Sequence, residues 1–301
     1  MQQIQEICDQ AEILRFQGKY DAAEPLLCET LAMVEETYGA DHIEVATVLN
    51  NLAVLYKYTA RFEEAERLYR RALAILEITL GPEHPDVATI YHNLGGLEHA
   101  RGQYANGEPF AQRSVAIREN ALGPNHLDVA ADIAALAAIL DGQGHYHKAE
   151  PLYRRALAIF ERHLGVENYE LAINFNNLAA SAFHRGNYTE AERLYRHALG
   201  IKEKMLGPEH PEVAITLNNL AVLYKSQGGF SEAEELYQRA LAIFECAFRD
   251  DHPHVATTRE NYAKMSRLLH GRHEGEATQP DSRVAHRNEE NPCTKVTLAS
   301  A

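Results

Sequence analysis

The 301-residue chain carries 29 lysines and arginines against 43 aspartates and glutamates, a formal charge of −14. Non-specific attraction to nucleic acid or to an anionic membrane needs a net basic face, so neither is expected as a partner. The four cysteines, Cys8, Cys28, Cys246 and Cys293, are scattered without a CxxC pair, which points to thiols in a reducing compartment rather than a disulfide framework or a zinc site. The N-terminal segment lacks a basic stretch followed by an apolar one. No apolar run reaches the ~18 residues of a membrane span, so a cytoplasmic protein is expected.

Self-similarity sets the architecture. From Asn51, steps of 42 residues reach Asn93, Ala135, Asn177, Asn219 and Asn261. Hairpins of two helices, A and B, are expected at roughly 3–40, 41–82, 83–124, 125–166, 167–208 and 209–250. In the first, Gly18 and Tyr20 mark the turn between A and B, and Pro25 stands early in helix B. The second is the template. Its helix A holds VATVLNNLAVLY, with Leu52, Ala53, Leu55 and Tyr56 on the packing face. Thr47, Asn51, Val54 and Tyr58, spaced 4, 3 and 4, share the other stripe with Asn50 and Lys57. Its turn carries Ala60 where Gly102, Gly144, Gly186 and Gly228 stand in later repeats. A glycine there suits a backbone with positive φ or a close helix contact. In helix B, Ala65, Leu68, Tyr69, Ala72 and Leu73 form an apolar helical stripe.

The linker LGPEHP follows at 80–85 and returns at 206–211. Gly81 is read as the left-handed residue that ends helix B, Pro85 as the first residue of the next helix, and Asp86 as a complement to its dipole. His84, His126, His210 and His252 recur one repeat apart, too separated to converge on a metal, so they are read as local capping or packing residues. The third hairpin substitutes Gly107, Pro109 and Ser114 in helix B and is expected to be weaker there. Pro109, Pro25 and Pro151 are placed in the first helical turn. The fourth hairpin replaces polar positions by Ala131, Ala134, Ala135 and Ala138. After the sixth, a seventh A-type helix at about 253–269 reads as a polar cap, and 270–301 as a polar, disordered tail. Domain 1–269 is thus an all-α solenoid of antiparallel helix hairpins.

The columns Asn-Leu-Ala, Gly-x-Tyr/Phe, Ala-Glu-x-Leu-Tyr and Ala-Leu resemble the tetratricopeptide repeat. The 42-residue period and the Leu-Gly-Pro-Glu-His-Pro linker resemble in particular the repeats of kinesin light chain. The resemblance covers about residues 3–269. It implies a right-handed superhelical solenoid whose A helices line a concave groove that binds peptide segments of partner proteins. It also implies that the asparagine of Asn-Leu-Ala bonds the peptide backbone, which carries over to Asn51, Asn93, Asn177, Asn219 and Asn261. An amide suits that role because it both donates and accepts. These asparagines could equally bond neighbouring helices. Lys57 and Lys225, in equivalent positions, are candidates for attracting acidic partner residues. The heptad region by which that family holds the kinesin heavy chain has no counterpart, so direct heavy-chain association is not implied.

No HExxH, GxSxG, GxxxxGK or GxGxxG motif occurs. His145 and His147 lack a third ligand, and acidic residues such as Glu63, Glu64 and Glu66 belong to repeating columns. The expectation is a non-enzymatic scaffold without cofactor or metal. Head-to-tail self-assembly is the alternative and an enzyme the remote one.

Overall fold

The computed structural model describes residues 2–16, 19–248 and 252–275. Gly18, Cys293 and the part of the expected tail beyond 275 lie outside the described residues. The described chain is all-α. Its helices are α1 (Gln2–Phe16), α2 (Tyr20–Tyr38), α3 (Ile43–Tyr58), α4 (Phe62–Leu80), α5 (Pro85–Ala100), α6 (Tyr104–Leu122) and α7 (Leu127–Gly142). There follow α8 (Tyr146–Leu164), α9 (Tyr169–His184), α10 (Tyr188–Leu206), α11 (Pro211–Gln227), α12 (Phe230–Ala247) and α13 (Pro253–Gly275). The odd-numbered helices are the A helices and the even-numbered ones the B helices. Two compact units divide within α8, between Ile159 and Phe160. In each, consecutive helices pack as antiparallel hairpins, and A helices also touch the A helices of adjoining repeats.

Both punctuation columns do conformational work. Gly102, Gly144, Gly186 and Gly228 have φ between 73° and 81°, and a Cβ on any of them would meet nothing within 4 Å. Positive φ, not crowding, therefore selects glycine. Ala60 adopts the same kind of backbone at φ 58°, where a Cβ costs roughly 1–2 kcal/mol. Gly81 departs from the left-handed cap read from the sequence. Its φ is 88° but its ψ is 155°, a conformation open essentially to glycine alone. Its N–H still closes the helix on the Glu77 carbonyl.

The linker histidines cap helices. Nδ1 of His42, His84, His126 and His210 accepts the N–H of Glu44, Asp86, Asp128 and Glu212, each at 3.2 Å. Asn168 does the same for Glu170 at 2.8 Å. Pro85 and Pro211 stand in the first helical turn, as the sequence suggests. Pro25, Pro109 and Pro151 do not; each lies inside its helix, past the first turn. Each is exposed, so the carbonyl deprived of its N–H partner can turn to water. Gly107 has a packing reason. A Cβ there would approach the Gly95 carbonyl oxygen at 3.1 Å and Ile139 at 3.3 Å. Gly95 and Gly107 replace the alanines of other repeats and let α5 and α6 pack backbone to backbone.

A latch recurs that the repeat columns did not suggest. Arg71, Arg113, Arg155 and Arg239 on B helices reach back to the preceding linker, donating to the carbonyls of Ala40, Pro82, Pro124 and Pro208. Each also pairs with a glutamate: Glu35, Glu83, Glu119 and Glu203 respectively. In the fifth repeat the position is His197, which stacks on Phe175 at 4.3 Å.

Candidate functional site

The A helices of the first unit bury Leu52, Ala53, Leu55 and Tyr56, as their spacing predicts. On the remaining stripe, Thr47 is exposed, and Asn50, Asn51, Val54 and Tyr58 are half-buried. Lys57, the candidate for attracting acidic partner residues, is buried: only 8% of the residue is exposed. Its Nζ lies 5.4 Å from the Tyr58 ring centroid, and the guanidinium of Arg15, from α1, lies 4.6 Å from that ring. Burial first, and the like charge of Arg15 second, pull the Lys57 ammonium down to about 8. Arg15 pairs with Glu12 at 3.3 Å. Among the described residues, no carboxylate forms an ion pair with Lys57.

One turn away on the same stripe is a recess of about 100 Å³, lined among others by Cys8, Arg15, Asn50, Asn51, Thr89 and Asn93. The Cys8 thiol hydrogen-bonds with Asn51, while burial pushes its pKa up. Cationic heads, amides, a hydroxyl and the apolar Val54 and Leu55 therefore converge on one strip of α1, α3 and α5. Such a set can hold an extended chain by its backbone and pair with an anionic side chain.

Beside it lies a buried charged group. The His92 Nδ1 and Asp132 Oδ1 are 2.7 Å apart, Arg118 Nη1 donates to the same oxygen at 3.4 Å, and Arg118 Nη2 donates to Thr89 at 2.6 Å. Asp132 is wholly buried. This group joins α5, α6 and α7. The sequence carried a signal for it: Arg118, like Lys202 two repeats on, interrupts a column otherwise filled by Leu76, Phe160 and Phe244. Ala134, Ala135 and Ala138 of α7 are buried.

The asparagines form a ladder. Asn93 Nδ2 donates to Asn50 Oδ1 at 2.8 Å. Within the second unit, Asn219 Nδ2 donates to Asn176 Oδ1 at 3.3 Å and Asn261 Nδ2 to Asn218 Oδ1 at 3.4 Å. Thr216 donates to the same Asn176 oxygen. Asn93, Asn177, Asn219 and Asn261 are all buried, between 0% and 7% exposed, so Asn51 is the only half-buried member of the carried-over set. Lys225, on α11, is half-buried in the last turn of its helix. The preceding repeat buries Lys202 completely, its Nζ 3.0 Å from Glu212 Oε2.

Among the described residues, no group of three or more histidines, cysteines or acids is placed to hold a metal ion. No described helix is long and apolar enough to cross a membrane.

A family profile for the tetratricopeptide repeat matches residues 6–78, 59–105, 86–162 and 170–246. No curated protein matches the sequence. Among solved structures, BtubC (BKLC) from P. vanneervenii is similar at a TM-score of 0.61 and 22% identity, over 91% of this chain and 98% of that one. A Podosopora anserina kinesin light chain-type protein with nearly identical TPR-like repeats is 28% identical, at a TM-score of 0.56, over 67% of this chain and 96% of that one. PilW, a type IV pilus biogenesis factor, reaches 0.58 at 17% identity, over 85% of this chain and 98% of that one. At these identities BtubC and PilW speak to the fold alone.

Proposed function

We propose that this chain, which belongs to the tetratricopeptide repeat family, is a non-enzymatic scaffold that binds extended peptide segments of partner proteins along the A-helix face of its units. Repeats of this family generally mediate protein–protein interaction. The observation that carries the finer reading is Lys57. An ammonium this buried, beside a second cation and without a carboxylate partner among the described residues, is costly on its own. An acidic side chain of a bound peptide relieves that cost. Asn51 and Asn93, at the adjoining recess, offer the peptide backbone a donor and an acceptor. Lys225 repeats the cation on α11. Asn219 and Asn261, being buried and bonded to Asn176 and Asn218, contribute chiefly by holding the A helices in register, and Asn177 is buried as well.

The test is a selection of random linear peptides on the full chain, counter-selected on the Lys57→Met variant. The reading expects recovered sequences to share one acidic position and to lose binding with Lys57→Met. Recovery of the same peptides by both proteins, or of sequences without an acidic position, contradicts it.

A further inference from the structure

The asparagine ladder lacks a rung at its start. In each bonded pair the donor stands 43 residues after its acceptor: Asn93 on Asn50, Asn219 on Asn176 and Asn261 on Asn218. Counted back in the same way, the residue before Asn51 is Cys8. Its thiol does hydrogen-bond with Asn51, but a thiol is a weak donor and acceptor and lacks the reach of an amide. The recess of about 100 Å³ opens at this place, with Cys8, Asn50, Asn51 and Asn93 all in its wall. In the second unit the corresponding pairs are closed. Asn176, Asn218, Asn219 and Asn261 are at most 1% exposed, whereas Asn50 is half-buried.

The groups that face the recess define its complement. Asn93 Nδ2 donates to Asn50 Oδ1 at 2.8 Å. Among the described residues, nothing bonds the NH2 of Asn50 or the oxygen of Asn93, a residue only 7% exposed. Flipping both amides reverses the bond and leaves the same complement, one NH2 and one oxygen. A carboxylate can use only the NH2, and it stands as a second anion beside Glu12, which lines the recess and pairs with Arg15 at 3.3 Å. An ammonium can use only the oxygen and meets the Arg15 guanidinium. An apolar group leaves both unmatched. The N–H and C=O of a trans peptide unit point opposite ways, whereas a primary carboxamide offers both on one edge. At ~30 Å³ per liquid water the recess holds roughly three waters, the bulk of one such group.

We propose that the recess takes the side-chain carboxamide of an asparagine or glutamine in a bound partner segment, which supplies the rung that Cys8 lacks. The inference rests on the reading of this face as a peptide site and adds a second anchor to the acidic one at Lys57. The Asn93 oxygen has two lone pairs, so serving a side chain does not withdraw it from the backbone. The two anchors lie about one helical turn apart, ~5.4 Å. In an extended segment that is roughly the spacing of side chains two residues apart on one face.

The test uses propionamide, the glutamine side chain without its backbone, and propionate, its glutamate counterpart. Each is titrated into the isotope-labelled full chain while the side-chain NH2 resonances of Asn50, Asn51 and Asn93 are followed, with those of Asn176 and Asn218 as the closed reference. The expected result is a saturable shift of the first three with propionamide in the millimolar range, as so small a fragment allows. Propionate should bind at least about tenfold more weakly, because it leaves the Asn93 oxygen without a donor. Cys8→Asn supplies the rung from within and should abolish the response. Asn50→Leu should abolish it by removing the NH2, so the test stands where one of the two variants fails to fold. Because propionamide carries no acid, its titration succeeds or fails independently of the acidic anchor, which the peptide selection tests. An equal response to propionate, no shift with propionamide, or a response that survives in folded Cys8→Asn or Asn50→Leu overturns the proposal.

Discussion

The two units fill the A-helix columns of His92 and Asp132 with different chemistry. In the first, the inter-helix positions hold charge: Lys57 beside Arg15, and His92 and Arg118 on Asp132. In the second, the positions of His92 and Asp132 hold neutral groups, Asn176, Asn218 and Thr216, to which Asn219 and Asn261 add their amides, while the position of Arg118 keeps a charge, Lys202 paired with Glu212. An amide pair takes no net charge out of water: Asn219 donates to Asn176 and Asn261 to Asn218. A charge in the same register must find a buried counter-charge or wait for one. Asp132 meets the first condition for Arg118. Lys57 meets neither among the described residues, and that difference separates a structural interlock from a candidate binding site.

The sharpest way to break the comparison is at Asp132. Asp132→Ala leaves Arg118 and His92 buried without their carboxylate and should destabilise the chain by about 3–5 kcal/mol, read by denaturant unfolding followed by circular dichroism. A loss under about 1 kcal/mol would mean the group is solvated and the contrast with the amide ladder false. Asn219→Ala should cost less, about 1–3 kcal/mol, because it strips a neutral acceptor of its donor. If the ordering of these two variants reverses, the charged group is not the tighter interlock.

Smaller effects sharpen the comparison at the turns, which both units share. Ala60→Gly should stabilise the first unit by about 1 kcal/mol by relieving the positive φ, and Gly186→Ala should destabilise the second by a similar amount. Both are read as shifts in the urea midpoint at constant m-value. Equal and opposite shifts would confirm that the column is conformational; a neutral Gly186→Ala would refute it. Lys57→Met should show the smallest stability cost, or a gain. Because burial holds the folded pKa near 8, below the ordinary lysine value, the charge opposes folding at neutral pH and ceases to do so as pH rises toward 10. The gain of Lys57→Met over the parent should therefore be larger in melts at pH 7 than at pH 10.

Much of this was legible in the sequence, and the reasons are physical. A strict 42-residue period fixes which residues share an environment, so helix hairpins, glycine turns and the buried face of α3 could be read directly. The capping role of His84 followed because its equivalents stand one repeat apart. Local backbone detail was less legible: a proline inside α6 and a glycine at ψ 155° both depend on geometry that spacing does not encode. Inter-repeat chemistry was least legible. The helical position of Lys57 marked it as a candidate for acidic partners but did not show its burial: α1 and α5 close over it, with Arg15 and Gly96 as its neighbours there. The asparagine ladder needed the pairing of Asn93 with Asn50 and of Asn219 with Asn176, which no single repeat displays.

The most direct measurement is a double-mutant cycle between Lys57 and the acidic residue of a selected peptide, by calorimetry at pH 7. The four binding energies use the parent chain and Lys57→Met, each with the peptide and its Glu→Gln twin. The account predicts a coupling energy of about 1–3 kcal/mol, shrinking as the pH is raised past 8 and Lys57 loses its proton. A coupling of zero, with both peptides binding Lys57→Met as they bind the parent, would contradict the claim that the buried ammonium awaits a partner's carboxylate.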